Sequence, residues 1–359
     1  WFRNQSCGYM SSLSPELQKL VKYRQMLGNK LLPIIDIGGN SVRLEIRSAL
    51  DPFSKTEFHY KFKVNAALAS EISQTGSMGE TSMKAALKAV KKMMKTINDL
   101  KEQGYDVSNI TAIGTAPFRD AENGEAFADA IRELGVPLEI ISGEKEAEYS
   151  AMGVLAHMMQ HSDTPVSGLV ADMGGGSADF ALIENNEVVR THSLPLGTLR
   201  IKSAENPEEF VHSQIQKLPK EFQGVRPLFF VGGTPRNIAK SFAKTHGINI
   251  KAGGSDCEVS SGQLSNYVSD LASAQESSKD KSGKVSSLLH IKEERLELIR
   301  PAAILLDALK ESFGIESIAL SKATMRDGIR ASMMNQLMGS ALSASPSHDA
   351  KSKPAIRAA

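Results

Sequence analysis

Two short segments with the same residue types at the same spacing are the clearest sign of chemistry in this sequence. Asp36-Ile37-Gly38-Gly39-Asn40-Ser41 and Asp172-Met173-Gly174-Gly175-Gly176-Ser177 share Asp, Gly, Gly and Ser at matching offsets. Glycines let a backbone approach a ligand closely, and successive amides in such a turn form an anion-binding nest. The two copies therefore predict two similar phosphate loops that hold one phosphate chain from both sides.

The loops, a third glycine turn and two arginines supply the predicted phosphate contacts. The glycine-loop candidates are Gly38, Gly39, Asn40, Ser41, Gly174, Gly175, Gly176, Ser177, Gly232, Gly233 and Thr234. Arg43 and Arg119 can add fixed positive charge, because a guanidinium fork matches phosphate oxygens. Neither loop has the Gly-Lys-Ser/Thr ending of a P-loop or the spacing of the dinucleotide fingerprint, so those two site classes are disfavoured.

Three aspartates beside these turns are candidates for holding Mg²⁺. Asp172 and Asp179 flank the second turn, and Asp36 is the equivalent acid of the first. An aspartate at such a turn can hold a cation that bridges to phosphate. Phosphoryl transfer also requires an oriented nucleophile, so the sequence must supply a base that activates water.

The segment 142–148 offers three carboxylates for that base at the start of a predicted helix. Glu144 and Glu148 are four residues apart and share a helical face, as expected of acids that simply complement the helix dipole. Glu146 lies on another face, in line with the small residues Ser150 and Gly153. Spacing alone leaves its role as the base open.

Composition limits the class of protein. The chain has 359 residues, 41% apolar and 23% charged, with a net charge of +1. These values are typical of a soluble globular protein of two domains, and they give no support for a nucleic-acid or membrane partner. The two cysteines, Cys7 and Cys257, provide neither a disulfide framework nor a zinc site.

Strand and helix patterns alternate along the chain. We predict helices at 14–28, 80–103, 123–134, 144–160, 295–313 and 327–339, and strands within 31–65, 107–114, 138–143, 168–182, 228–231 and 317–321. The segment 273–287 is predicted to be a flexible loop or a frayed helix end. This alternation, with two similar hairpins, indicates α/β lobes with mixed sheets and a cleft between them.

The predicted division of the chain has four parts. Residues 1–30 form an extension with one helix, and 31–150 form a first lobe against which the C-terminal helix 322–339 packs. Residues 151–321 form a second lobe, and 340–359 form a disordered tail.

The motifs together resemble those of the exopolyphosphatase/guanosine pentaphosphate phosphatase family. The resemblance runs from about Leu32 to Arg330 and includes seven motifs in the family's order. They are both glycine loops, Gly114–Ala121, Ile140–Ala147, Leu196–Arg200, Val231–Thr234 and Ser321–Gly328. The resemblance implies two ribonuclease H-like lobes around a central cleft, the actin-like ATPase fold. It also implies that Thr115 and Arg119 contact phosphate.

The resemblance gives individual residues a role. Glu146 falls on the family's general base, and Asp172 on its metal-linked aspartate. Two positions depart from the pattern: Asp179 stands where the family usually has Glu, and Gly39 where it more often has Ser. We expect these departures to affect rate and metal geometry more than the class of reaction.

The expected function is therefore Mg²⁺-dependent release of the terminal phosphate from inorganic polyphosphate. Two alternatives stay open: hydrolysis of the 5′-γ-phosphate of guanosine pentaphosphate, and a sensor that binds nucleotide or polyphosphate without hydrolysis. The resemblance further implies a homodimer. The two cysteines fit a reducing compartment, so we expect the cytoplasm, and the net charge of +1 leads us to expect no nucleic-acid or membrane partner.

Overall fold

The computed structural model describes residues 25, 27–53, 57–248, 258–277, 291 and 296–343. The strands are β1 (Leu31–Ile37), β2 (Val42–Ser48), β3 (His59–Val64), β4 (Thr111–Gly114), β5 (Leu138–Ile140), β6 (Gly168–Met173), β7 (Ala178–Glu184), β8 (Glu187–Leu194), β9 (Leu228–Gly232), β10 (Glu258–Ser260) and β11 (Ser317–Ala319). The α-helices are α1 (Ile72–Thr75), α2 (Glu80–Glu102), α3 (Ala116–Asp120), α4 (Gly124–Arg132), α5 (Gly143–Met158), α6 (Thr198–Ser203), α7 (Pro207–Ile215), α8 (Gly233–Thr245), α9 (Ser261–Ser277), α10 (Ile299–Phe313) and α11 (Met325–Ser343).

Two mixed sheets with the same internal plan form the framework. The first has the strand order β3-β2-β1-β4-β5, and the second has the order β10-β11-β9-β6-β7-β8. In each, three consecutive strands form an antiparallel meander, and two later strands add in parallel beside the first strand of that meander. In the second sheet, β10 then pairs antiparallel with β11 at the edge. This repeated plan confirms the predicted fold of two α/β lobes with mixed sheets.

Each sheet is covered on both faces. Helices α2 and α4 pack on the outer face of the first sheet, and α6 to α10 on the outer face of the second. On the inner faces, α11 packs against the first sheet and α5 against the second, and these two helices also pack on each other. The inner layer between the sheets is therefore built from α5 and α11.

Several predicted elements match closely, and others end elsewhere or fall outside the described residues. The predicted helix 80–103 is α2, and the predicted helix 144–160 is α5, which crosses the predicted lobe boundary at residue 150. Helix α11 continues to Ser343, beyond its predicted end at residue 339. The predicted helix 14–28 lies almost wholly outside the described residues, as do 278–287 of the predicted flexible segment and 344–359 of the predicted tail. The four-part division of the chain stays a prediction.

Candidate functional site

The acids of both glycine loops lie on the inner faces of their sheets. In β1, Ile35 and Ile37 pack outward beneath α2, so the side chain of Asp36 faces the layer of α5 and α11. In β6, Met173 packs outward into the second core, and Asp172 therefore faces the same layer from the other side. Simple strand alternation thus brings two aspartates from distant parts of the sequence toward one cleft.

Both glycine turns close in the same way. The amide of Gly38 donates to the carbonyl oxygen of Ser41 at 3.1 Å, and that of Gly174 donates to the carbonyl oxygen of Ser177 at 2.9 Å. Each turn joins two antiparallel strands, β1 to β2 and β6 to β7. The sequence prediction of strand, glycine turn and strand is confirmed for both copies.

Helix α6 supports the second loop from behind. The amides of Thr198 and Leu199 donate to the carbonyl oxygens of Gly174 and Gly175, each at 3.0 Å. A Cβ atom on Gly197 would overlap the backbone of Gly175, so only glycine allows this close approach. The second loop is therefore fixed by the start of a helix that the sequence analysis did not predict.

The two loops face each other across a cleft of about 140 Å³. Its lining includes most of the predicted site, namely Asp36, Gly38, Gly39, Asn40, Ser41, Arg43, Thr115, Glu146, Asp172, Gly174, Gly175, Gly176, Ser177, Asp179, Gly232 and Gly233. Two predicted phosphate ligands are not among the lining residues. Thr234 is buried at the start of α8, and Arg119 lies behind Glu146.

Hydroxyl groups hold the two acids of the second loop. Ser150 on α5 donates a short hydrogen bond to Oδ2 of Asp172. Asp179 accepts one hydrogen bond from Ser177 at 2.9 Å and another from Ser193 at 2.5 Å. Both carboxylates are therefore held in fixed orientations at the floor of the cleft.

The two departures from the family pattern have local steric reasons. A Cβ on Gly143 would overlap the hydroxyl of Ser193 and lie 3.1 Å from Oδ1 of Asp179, so little space surrounds this shorter acid. A Cβ on Gly39 would lie only 3.0 Å from the Cβ of Ala69. A serine at position 39 would therefore require Ala69 to move, and Asp179 lies in a crowded part of the cleft.

Burial raises the pKa values of three acids in the cleft, Glu146, Asp172 and Asp179. It raises the pKa of Glu146 well above its usual value, and the charge of Asp179 adds to the effect while Arg119 opposes it. Burial is also the main cause that raises the pKa of Asp179 to about 7, to which the charge of Asp172 contributes. The pKa of Asp172 is raised by burial as well. The cleft thus holds closely spaced acids whose negative charges repel one another.

Arg119 is bound to the candidate base. Its Nη1 atom donates to Oε2 of Glu146 at 2.8 Å and to the carbonyl oxygen of Ile141 at 2.6 Å. The Glu146 side chain is only 13% exposed. Arg119 therefore orients Glu146, whereas the sequence analysis predicted that it contacts phosphate.

The sequence analysis missed two arginines of the cleft, Arg236 and Arg326. Arg326 lies in the first turn of α11, and its Nη1 atom donates to Oδ2 of Asp36 at 2.6 Å. Arg236 lies in the first turn of α8, directly after the third glycine turn. With Arg43, whose Nε donates to Oγ of Ser41 at 2.9 Å, they form a group of three guanidinium side chains in the cleft. Arg326 lies within the recognised motif Ser321–Gly328, and Arg236 follows the motif Val231–Thr234 by two residues.

A buried glutamate behind the first loop balances part of this charge. The side chain of Glu45 is 6% exposed and accepts hydrogen bonds from Arg47 at 2.9 Å and from Arg326 at 3.3 Å. Arg330 and Lys61 lie at 3.2 and 3.4 Å. Glu45 therefore joins β2 and β3 to the start of α11, which carries the cleft residue Arg326.

The donor set fits a divalent cation that is completed by substrate. The described residues include no cluster of three His, Cys, Asp or Glu side chains positioned to hold a metal ion. Mg²⁺ often binds through only one or two carboxylates and completes its shell with water and substrate phosphates. Asp172 and Asp179, whose repulsion a cation would relieve, meet that requirement. Asp36 is paired with Arg326 and fits it less well.

A comparison with models of protein families shows to which family this chain belongs. A model of the Ppx/GppA phosphatase family matches residues 58–337. This chain belongs to the Ppx/GppA phosphatase family. The resemblance drawn from the motifs is therefore confirmed.

Relatives in the Ppx/GppA family match part of the chain. This chain is 31% identical over 168 residues to the guanosine-5′-triphosphate,3′-diphosphate pyrophosphatase of Vibrio parahaemolyticus. The match covers 46% of this chain and 32% of that protein. The chain is 28% identical over 199 residues to the bifunctional 3-dehydroquinate synthase/phosphatase of Fusobacterium nucleatum, and that match covers 54% of this chain and 29% of that protein. The matched segments thus span about a third of these relatives.

Solved structures of the family share the fold. The Aquifex aeolicus member superposes with a TM-score of 0.65 at 19% identity, over 87% of this chain and 98% of that one. An exopolyphosphatase from Cytophaga hutchinsonii superposes with a TM-score of 0.64 at 21% identity, over 85% and 98%. Within the described part of the chain, we find no helix with the length and apolar character required to cross a membrane.

Proposed function

We propose that this member of the Ppx/GppA family is a Mg²⁺-dependent exopolyphosphatase that releases the terminal orthophosphate of inorganic polyphosphate. The observation that supports this most strongly is the charge arrangement of the cleft. Between two glycine loops it carries four acids, including Glu146, together with the three arginines Arg43, Arg236 and Arg326. Phosphoryl transfer depends mainly on positioning and charge neutralisation, and this arrangement suits both.

Glu146 is the proposed general base. It takes a proton from a water molecule while the oxygen of that water forms a bond to the terminal phosphorus. The bond from that phosphorus to the bridging oxygen breaks, and the bridging oxygen keeps the electron pair as the new chain end. A base works best when its pKa lies near the operating pH, and burial moves the pKa of Glu146 upward in that direction.

The other residues bind and orient in this proposal. The amides of the glycine loops and the arginines hold the phosphate oxygens. Bound Mg²⁺ would neutralise charge on those oxygens, and we assign its binding to Asp172 and Asp179. Asp36 holds Arg326 in the cleft through their ion pair. Arg119 keeps Glu146 directed toward the water.

A second substrate deserves a direct comparison, because relatives at about 30% identity are named for guanosine pentaphosphate. Both substrates end in a phosphoanhydride, and the loops contact phosphates rather than a base. The alternative function is therefore hydrolysis of the 5′-γ-phosphate of guanosine pentaphosphate in the same cleft.

The deciding experiment measures phosphate release with Mg²⁺ from medium-chain polyphosphate and from guanosine pentaphosphate. We expect Glu146→Gln to lower turnover by about 10²–10⁴ while substrate binding persists, the usual scale for loss of a general base. The matched control is Glu148→Gln on the same helix, where the carboxylate is 41% exposed and pairs with Lys145. This control should keep nearly the wild-type rate.

The outcomes separate the candidate functions. Faster release from polyphosphate supports the proposal, and faster release from guanosine pentaphosphate supports the alternative. A folded protein that binds either substrate but releases no phosphate would instead be a sensor. A Glu146→Gln variant as active as the wild type would remove Glu146 from the mechanism.

We further propose that the protein acts as a homodimer, as the family resemblance implies, in the cytoplasm and without a nucleic-acid or membrane partner. Light scattering after size-exclusion chromatography tests the oligomeric state. A mass of one chain at working concentration would contradict the dimer.

A further inference from the structure

A second cavity opens directly from the cleft. It has a volume of about 290 Å³ and lies between the strands β2 and β3 and the helix α8. It shares Arg43, Gly233, Arg236 and Arg326 with the lining of the cleft. A ligand can therefore extend from the cleft into this cavity without leaving the protein surface.

The charges that line this cavity are almost all positive. Besides the three shared arginines, its wall carries Lys61, Lys63 and Lys240, and its single acid is Glu45. That acid pairs with Lys61 and Arg326 of the wall, and also with Arg47 and Arg330 outside it. We call the cavity formed by Lys61, Lys63 and Lys240 with the shared arginines the basic pocket.

Strand alternation explains how the basic pocket forms. On β3, Phe62 and Val64 pack against the core beneath α2. Lys61 and Lys63 therefore lie on the other face, which borders the pocket. Lys240 follows Arg236 by one helical turn on α8, so both lie on the same side of that helix. Strand β3 of the first sheet and helix α8, which packs on the second sheet, thus each contribute a pair of cations.

Arg236 marks the passage between the cleft and the basic pocket. Among the described residues it has no hydrogen-bond or ion-pair partner, although it is partly buried. Burial lowers its pKa to about 10, and the neighbouring charges of Arg326 and Arg43 contribute to the decrease. An anion placed between these arginines would relieve their repulsion.

We propose that the basic pocket binds the inner phosphates of a linear polyphosphate whose terminal phosphate lies in the cleft. This inference rests on the proposed function and specifies the path of the substrate. Each phosphate of the chain carries negative charge, so a continuous row of cations that leads away from the reaction site favours a long substrate over a short one. The pocket holds the part of the substrate that does not react.

The test neutralises the pocket and compares substrates of different length. The variant is Lys63→Gln/Lys240→Gln, and the control is Lys88→Gln/Lys91→Gln, which removes two exposed charges from α2. We measure kcat and KM for medium-chain polyphosphate and for tripolyphosphate at low ionic strength. We expect the pocket variant to raise KM for the medium chain about tenfold more than KM for tripolyphosphate, with kcat changed little, because electrostatic attraction acts on the distal charges.

Two further measurements keep the test decisive. Lys63→Arg/Lys240→Arg should restore the chain-length dependence, and thermal melting shows whether each variant is folded. Calorimetric binding of both polyphosphates to the full chain tests the pocket without turnover, so a protein that hydrolyses neither substrate would refute the proposed function but leave the pocket testable.

Three results would overturn the proposal. The first is an equal loss for both chain lengths, in kinetics and in binding. The second is an equal loss in the pocket variant and the α2 control. The third is a loss confined to guanosine pentaphosphate relative to GTP, which would assign the pocket to the 3′-diphosphate of a nucleotide.

Discussion

A single carboxylate, that of Glu45, connects the first sheet to the last helix. Burial alone would raise its pKa, but the charges of Arg330 and Arg326 outweigh that effect and lower the pKa from 4.5 to about 2. Because the folded state holds the ionised form more tightly than the unfolded state, Glu45 adds stability above pH 4.5. That contribution is lost as the pH falls through the range from 4.5 to about 2.

Glu45→Gln should therefore destabilise the protein in a pH-dependent way. At neutral pH we expect a loss of about 3–5 kcal/mol in the free energy of unfolding, because buried arginines lose their counter-charge. The difference in the free energy of unfolding between variant and wild type should become smaller as the pH falls below 4.5. Urea unfolding at several pH values measures it, with the exposed Glu80→Gln as a control that should change little. A gap that stays constant with pH would show that the charge of Glu45 is not responsible.

The sequence revealed the residues of the site that lie within local motifs. Both glycine loops could be named because their spacing is visible within a few residues, whereas the role of Glu146 came from the family resemblance. Arg326 could not be assigned to Asp36, since 290 positions separate them and only tertiary packing brings them together. The alternating charges of Arg43, Glu45 and Arg47 did hold a signal, because one face of a strand that is otherwise apolar carries all three.

At the scale of elements, the crossing of α5 and α11 determines where the base lies. A Cβ on Gly328 would overlap the carbonyl oxygen of Tyr149, and one on Gly153 would overlap that of Thr324. The two backbones therefore touch at a pair of glycines. One helix carries Glu146, the proposed base, and the other carries Arg326 in its first turn, so this contact relates the two residues.

We expect Gly328→Ala to destabilise the protein by about 1–3 kcal/mol or more, since the added methyl group has no space between two helix backbones. Gly339→Ala on the same helix is the matched control, because a Cβ there meets nothing within 4 Å. This control should be neutral or stabilising by up to about 1 kcal/mol, given the higher helix propensity of alanine. Chemical denaturation compares the two, and an equal response would contradict close packing at the crossing.

The strong local patterns predicted their elements, and the weak ones did not. Helix α2 was predicted from its length and periodicity, and both hairpins from their glycine turns. Helix α9 was missed because serines dominate it, although Leu264, Val268 and Leu271 lie at helical spacing and are buried. For such a segment, packing against neighbouring helices contributes more than intrinsic propensity.

At the scale of the whole molecule, one ion pair joins the two lobes beside the cleft. Asp120 at the end of α3 pairs with Arg200 on α6, and both side chains are partly exposed. Helix α3 follows strand β4 of the first sheet, and helix α6 supports the glycine loop of the second sheet. The pair therefore links the two lobes beside the cleft.

Breaking this pair should weaken substrate binding slightly. A double-mutant cycle of Asp120→Asn and Arg200→Gln, followed through KM, should give a coupling energy of about 0.2–1 kcal/mol, the range for exposed pairs. High salt should reduce the coupling, because ions screen exposed charges. Strictly additive effects of the two substitutions on KM at low salt would show that the ion pair does not contribute to substrate binding.

The contacts of Glu45 also affect the order in which the protein can fold during its synthesis. Glu45 and Asp36 leave the ribosome early, whereas Arg326 and Arg330 emerge some 280 residues or more later. Until these arginines emerge, the carboxylates on the inner face of the first sheet are only partly neutralised. Such long-range contacts form slowly. A nascent chain thus has a complete first glycine loop but no finished phosphate site until its last described helix has docked.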